Sequence, residues 1–256
     1  MKQNIGLVLI ILFASGLSWA QDNFNIEAQK PKDALVLNDR GIANVRAARY
    51  TEALEDFKQS IALKPNYAPP YNNLGMTYTL LGQSNQARAV LQKAVRIDPN
   101  YAEAHFNLGV INGKERHFRE AVECFKRAIS LQPEFARAHN SLGVAFSDSG
   151  RRDEAVNAYR QAIRLRPDYA EAYNNLGTTE FEQGSLEQAI SSFTRAIALK
   201  PEFAIARYNM GVAYLKMKNR EAALEQQRLL SQFDERLANK LYDGIYRGKV
   251  LRVTLR

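Results

Sequence analysis

Residues 68–101 read APPYNNLGMTYTLLGQSNQARAVLQKAVRIDPNY, and this stretch decides the fold. Apolar residues at Tyr71, Leu74, Tyr78 and Leu81 fall three or four apart, the spacing of one helix face. Gly82 follows, where a helix commonly ends on a left-handed residue, and Ser84 is placed to cap a second helix. Ala87, Val90, Leu91, Ala94, Val95 and Ile97 share a face of that second helix. Asp98-Pro99 closes it, because proline cannot continue a helix and biases the preceding residue away from helical geometry.

The stretch is one copy of a repeat. Pro-x-aromatic-Ala recurs at Pro65–Ala68, Pro99–Ala102, Pro133–Ala136, Pro167–Ala170 and Pro201–Ala204, each 34 residues after the last. A fixed period of this length is the signature of a solenoid, in which each unit buries its apolar face against its neighbours. Gly41, Gly75, Gly109, Gly143, Gly177 and Gly211 hold one slot in the first helix. Ala53, Ala87, Ala121, Ala155, Ala189 and Ala223 hold one in the second. Glycine inside a helix costs about 1 kcal/mol relative to alanine, so six in register imply close packing of the two helices of each unit.

The pattern Leu-Gly-x-x-Tyr, then Ala-x-x-x-Phe, then Pro, resembles the tetratricopeptide repeat (TPR). Unit two supplies Tyr71, Leu74, Gly75, Tyr78, Ala87, Leu91, Ala94 and Pro99; unit four supplies Leu142, Gly143, Phe146, Ala155, Tyr159, Ala162 and Pro167. The resemblance implies an all-α, right-handed superhelical solenoid of antiparallel helix hairpins. Six units are expected, at 34–67, 68–101, 102–135, 136–169, 170–203 and 204–237. The end units depart from the pattern, with Arg40 and Asn44 in the first and Gln227 and Leu230 in the sixth, as expected where one side meets solvent. Residues 234–246, with Leu237, Leu241 and Ile245 at spacing four, read as a C-terminal capping helix.

Residues 1–20 read as a secretory signal peptide: Lys2, an apolar run from Ile5 to Leu17 too short to span a bilayer comfortably, and small residues at Ser18 and Ala20. This predicts an exported chain, in the periplasm first of all, with secretion or an uncleaved N-terminal anchor as alternatives. Residues 21–33 are then a linker, and the mature chain has no transmembrane span. The chain carries a formal net charge of +8 and a single cysteine, Cys124. Its core is expected to stand without disulfides, with Cys124 as a small buried residue.

Residue types that do chemistry are not arranged to do it. Phosphate loops, metalloprotease helices and nucleophile elbows have no counterpart here. His105 and His139 share one slot in successive units with Tyr71 and Tyr173, and read as replacements for a packing aromatic. No enzyme activity and no cofactor are expected.

The polar signal is a column two residues before the repeating glycine: Asp39, Asn73, Asn107, Ser141, Asn175 and Asn209. Asparagine is not favoured inside a helix. The column resembles the asparagine ladder in the repeat domain of O-linked N-acetylglucosamine transferases, which implies amides pointing into a concave groove and gripping a peptide backbone. Beside it run Ile42, Met76, Val110, Val144, Thr178 and Val212. Candidate peptide-binding residues are therefore Asn73, Asn107, Ser141, Asn175 and Asn209, with Met76, Val110 and Val144 as an apolar shelf. The alternatives are that the amides bond only within or between repeats, and that the shelf is core. The basic dicarboxylate clamp of chaperone-binding members is not supported, since the comparable slots hold Leu35, Asn38, Asn72, Glu103 and Arg137.

Between Arg236 and Arg256 stand six basic residues against one acid, Asp243. Residues 247–256 read as a basic tail in which Leu251, Val253 and Leu255 alternate as in a short strand. It either folds back, adds to a partner's sheet, touches an acidic or lipid surface, or stays flexible. Nucleic acid is not an expected partner. The expected function is a non-catalytic scaffold or adaptor for protein and peptide partners. Its rivals are a structural subunit of an envelope assembly (pilus or secretion machinery) working through edges or convex face, and a targeting subunit of a separately encoded enzyme.

Overall fold

The computed structural model describes residues 33–247 and 251–253. The signal-peptide reading and all but the last residue of the linker lie outside the described residues. Thirteen helices run through the described part. They are α1 (Ala34–Arg46), α2 (Tyr50–Leu63), α3 (Ala68–Leu80), α4 (Ser84–Ile97), α5 (Ala102–Lys114), α6 (Phe118–Leu131), α7 (Ala136–Asp148), α8 (Arg152–Leu165), α9 (Ala170–Glu182), α10 (Leu186–Leu199), α11 (Ala204–Lys216), α12 (Arg220–Leu230) and α13 (Glu235–Arg247). No helix among them is long and apolar enough to cross a membrane.

The first twelve helices pair as six antiparallel hairpins, and the hairpins stack as a right-handed superhelix. First helices of successive hairpins (α1, α3, α5, α7, α9, α11) also touch one another, whereas second helices do not. The rod is therefore shorter along its first-helix side, which makes that side concave. Within each hairpin the chain reverses through a left-handed residue. Glycine takes it without strain at Gly82, Gly150 and Gly184, while Ala48, Arg116 and Lys218 adopt it at φ 56°, 63° and 61°. Ser84 does not cap α4: it is the first helical residue, and Gln83 precedes it with no side-chain cap bond.

The repeating glycine receives a side chain rather than a bare backbone. Gly41, Gly109, Gly143 and Gly177 each lie under the ring of Phe57, Phe125, Tyr159 or Phe193 from the second helix of the same hairpin, and Gly75 lies under Leu91. A Cβ at Gly143 would stand 2.6 Å from the Tyr159 ring. The sixth hairpin has Gln227 where the ring belongs, and its Gly211 meets Leu241 of α13 instead. The capping helix thus completes the core of the last repeat from outside it. Leu241 is fully buried there with Leu237, Ile245, Tyr208, Val212 and Leu230. Residues 251–253 form no strand; Leu251 and Val253 fold back onto this cluster. The rest of the tail lies outside the described residues.

Candidate functional site: the concave groove

The first helices place the asparagine column in a graded environment. Asn73, Asn107 and Ser141 are half-buried, Asn175 is 3% exposed and Asn209 is sealed at 0%. Each asparagine is tied across a repeat boundary. Asn73 Nδ2 donates to Asn38 Oδ1 at 2.9 Å, Asn107 to Asn72 at 2.8 Å, Asn175 to Asn140 at 3.2 Å and Asn209 to Asn174 at 3.0 Å. Donor and acceptor stand 35 residues apart each time.

The acceptors form a second column, one residue before the first: Asn38, Asn72, Asn140 and Asn174. They were not among the sequence candidates. The signal was the paired amides Asn72-Asn73 and Asn174-Asn175. It also lay in a correlated break. The third unit has Phe106 in the acceptor slot, and the next unit has Ser141 where an amide donor would find nothing to meet. Phe106 stacks instead on Phe135, with ring centroids 4.8 Å apart, and lies under the Arg137 guanidinium.

The shelf divides in the same way. Met76 is 45% exposed and Val110 half-buried, while Val144, Thr178 and Val212 are buried. The open part of the asparagine column and the shelf therefore runs from unit one, where Asp39 is exposed and Ile42 half-buried, to Ser141 in unit four, and Leu35 and Leu80 on first helices are exposed as well.

Part of the column surrounds a cavity of about 410 Å³ between α5, α7 and α9. Val110, Ser141, Val144 and Asn175 line it together. Asn107, earlier on α5, and Asn73 and Met76 on α3 do not line it. Tyr169 and Phe203, aromatics of the repeating Pro-x-aromatic-Ala motif, stand in its wall. Burial pushes the Tyr169 phenol above its ordinary pKa, and the Arg166 guanidinium lies over its ring at 3.3 Å. Lys114, Asp148 and Glu171 supply charge around the cavity, Glu171 with Lys200 as ion-pair partner at 3.5 Å.

The histidines have a local role. His105 Nε2 bonds the Pro99 carbonyl at 3.1 Å and His139 Nε2 the Pro133 carbonyl at 3.0 Å. Tyr71 makes the same bond to the Pro65 carbonyl at 3.0 Å and Arg207 to the Pro201 carbonyl at 3.2 Å, so in these four units the slot ties the first helix to the proline turn before it. Cys124 is half-buried on α6, and burial pushes its thiol up to about 11, where a reactive thiolate is scarce at neutral pH.

Family models described as tetratricopeptide repeat or TPR repeat match residues 57–89, 76–115, 102–135, 142–202 and 180–235. No curated protein matches the chain. Among solved structures it is similar to the Cut9–Hcn1 hetero-tetramer of the APC/C, with a TM-score of 0.72 and 19% identity. That match covers 87% of this chain and 44% of the other, so the chain spans less than half the length of that relative. A crystal structure of MamA is similar with a TM-score of 0.58 and 28% identity, over 63% of this chain and 94% of MamA. YrrB, described as a TPR protein with an unusual peptide-binding site, is similar with a TM-score of 0.59 and 26% identity, over 73% of this chain and 97% of YrrB. The ring-over-glycine hairpins, the period of 34 and these matches together identify the chain as a tetratricopeptide-repeat protein.

Proposed function

We propose that the protein is a non-catalytic scaffold, exported to the periplasm or beyond, that holds an extended segment of a partner protein along its concave face. One observation carries this reading. On the first helices of units two to four, Asn73, Met76, Asn107, Val110 and Ser141 remain open along a single line, while the slots facing the second helices are sealed. Amides beside apolar side chains suit a peptide, whose backbone both donates and accepts and whose side chains alternate. The similarity to YrrB, described as having a peptide-binding site, supports a peptide as the kind of partner. Export rests on the sequence of residues 1–20.

A photo-crosslinking amino acid tests this when placed at Met76 or Val110 in the groove, or at Lys93 on the convex side, in cells that make the protein. Partner crosslinks from Met76 and Val110 but not Lys93 are expected. Crosslinks from Lys93 alone would transfer the work to the outer face, as in a structural subunit.

A further inference from the structure

We infer that the break in the amide ladder is an anchor pocket, which takes one bulky apolar side chain of an extended partner segment and the main-chain N–H of that same residue. This rests on the groove reading above and narrows it to one place and one chemistry.

The cavity exists because the chain is locally small. Ser141 replaces the ladder amide, Gly113 stands where Thr79, Ser147 or Phe181 stand in other units, and Ala145 completes the floor. Larger walls surround this floor: Val110, Val144, Tyr169 and Phe203. A volume of about 410 Å³ lies within the range of about 300–1,000 Å³ typical of ligand pockets, which are mostly apolar with few polar groups.

The polar group is Asn175. Its Nδ2 is committed to Asn140, but its Oδ1 is buried and accepts no hydrogen bond among the described residues. A buried acceptor without a donor is costly, and this one belongs to a side chain that lines the pocket. The occupant should therefore bring an N–H together with its apolar side chain. An amino-acid residue in an extended chain does so with main chain and side chain at once. The charged groups Lys114, Asp148 and Glu171 suit a polar rim around a buried anchor.

The test uses the ¹⁵N-labelled purified protein and three end-blocked pentapeptides: Gly-Ser-Phe-Ser-Gly, its Phe→Ala version, and its version N-methylated at the Phe nitrogen. Chemical-shift changes are followed at the Asn175 side-chain amide and at Val110 and Val144. The Phe peptide is expected to shift these signals at concentrations at least fivefold lower than either control. An equal response to the Phe and N-methyl peptides would overturn the N–H contact, and an equal response to Phe and Ala would overturn the anchor. Shifts confined to Asn73, Met76 and Asn107 would overturn the pocket yet keep the groove; none anywhere on the concave face would sink both.

A filling variant provides the second arm. A Cβ at Gly113 meets only the Ala121 Cβ, at 3.9 Å, so Gly113→Leu adds bulk on the pocket lining without a clash at the backbone. It should retain the helical circular dichroism spectrum and weaken the Phe peptide at least fivefold. Binding unchanged in this variant would count against the proposal.

Discussion

Asn209 donates its side-chain amide to Asn174, 35 residues earlier, in a region closed to solvent: both side chains are 0% exposed. The bond crosses from one repeat to the next, so removing one partner leaves the other's polar group buried and under-satisfied. Asn174→Ala or Asn209→Ala is expected to cost about 1–3 kcal/mol each. The double substitution should cost less than the sum, because the bond that the two amides share can be lost only once. Urea unfolding of the four proteins in the cycle measures this; strict additivity would mean the two amides are not coupled.

Gly143 and Gly113 offer opposite outcomes for one substitution. Alanine at Gly143 drives a Cβ to 2.6 Å from the Tyr159 ring, which is fully buried and cannot swing away. Overpacking of about 1–3 kcal/mol should exceed the gain in helix propensity of about 1 kcal/mol, and Gly143→Ala should destabilise. At Gly113 there is room, and Gly113→Ala should stabilise by up to about 1 kcal/mol. Thermal melts of the two variants, read for the sign of the change, are sufficient.

Leu241 holds the C-terminal end together. It is fully buried against Gly211 in place of a ring from its own repeat. Leu241→Ala should cost about 2–5 kcal/mol locally. In a repeat array that loss should appear first as opening of α11–α13 rather than of the whole rod. Hydrogen exchange should quicken in those helices while α5 to α8 stay protected.

Glu180 is a carboxylate buried on α9, 4% exposed, accepting from Ser192 at 2.7 Å. Burial raises its pKa; the Ser192 bond and Arg160 pull it back only in part. The native state then binds the proton more readily than the unfolded chain. Ionised Glu180 costs stability above its folded pKa, and that cost is relieved as pH falls toward the ordinary carboxylate range. Glu180→Gln keeps an acceptor for Ser192 and should raise the melting temperature at neutral pH by about 1–3 °C, the scale of a change below about 1 kcal/mol. The advantage should shrink as the pH is lowered through the window between the two pKa values. An advantage that grows in acid would reverse the assignment.

Hairpins, period and the capping helix were legible because they follow from local rules: a glycine every 34 residues, alternation of apolar faces, and proline closing the first five units. The asparagines were legible as a column, with bonding between repeats as one of two readings, but the residues they bond were not. A bond between residues 35 apart becomes visible only when one notices that Phe106 and Ser141 break both columns together. Nor do the aromatics of the Pro-x-aromatic-Ala motif announce a binding role. Tyr169 and Phe203 look like every other copy, and only the small residues Gly113 and Ser141 leave space beside them. A further alternation was present but unread. Units one, three and five carry Asn44–Asp56, Asn112–Cys124 and Glu180–Ser192 contacts between their helices. Units two, four and six place Tyr78, Phe146 and Tyr214 at the corresponding first-helix position.

The borrowed leucine under Gly211 gives the array a direction. Because the last hairpin draws its missing core residue from the helix beyond it, another copy could not join that end without first expelling Leu241. A hairpin arriving at the carboxyl face would thus meet a surface already closed by α13, whose Leu237, Leu241 and Ile245 occupy the apolar side that repeats elsewhere offer to their neighbours.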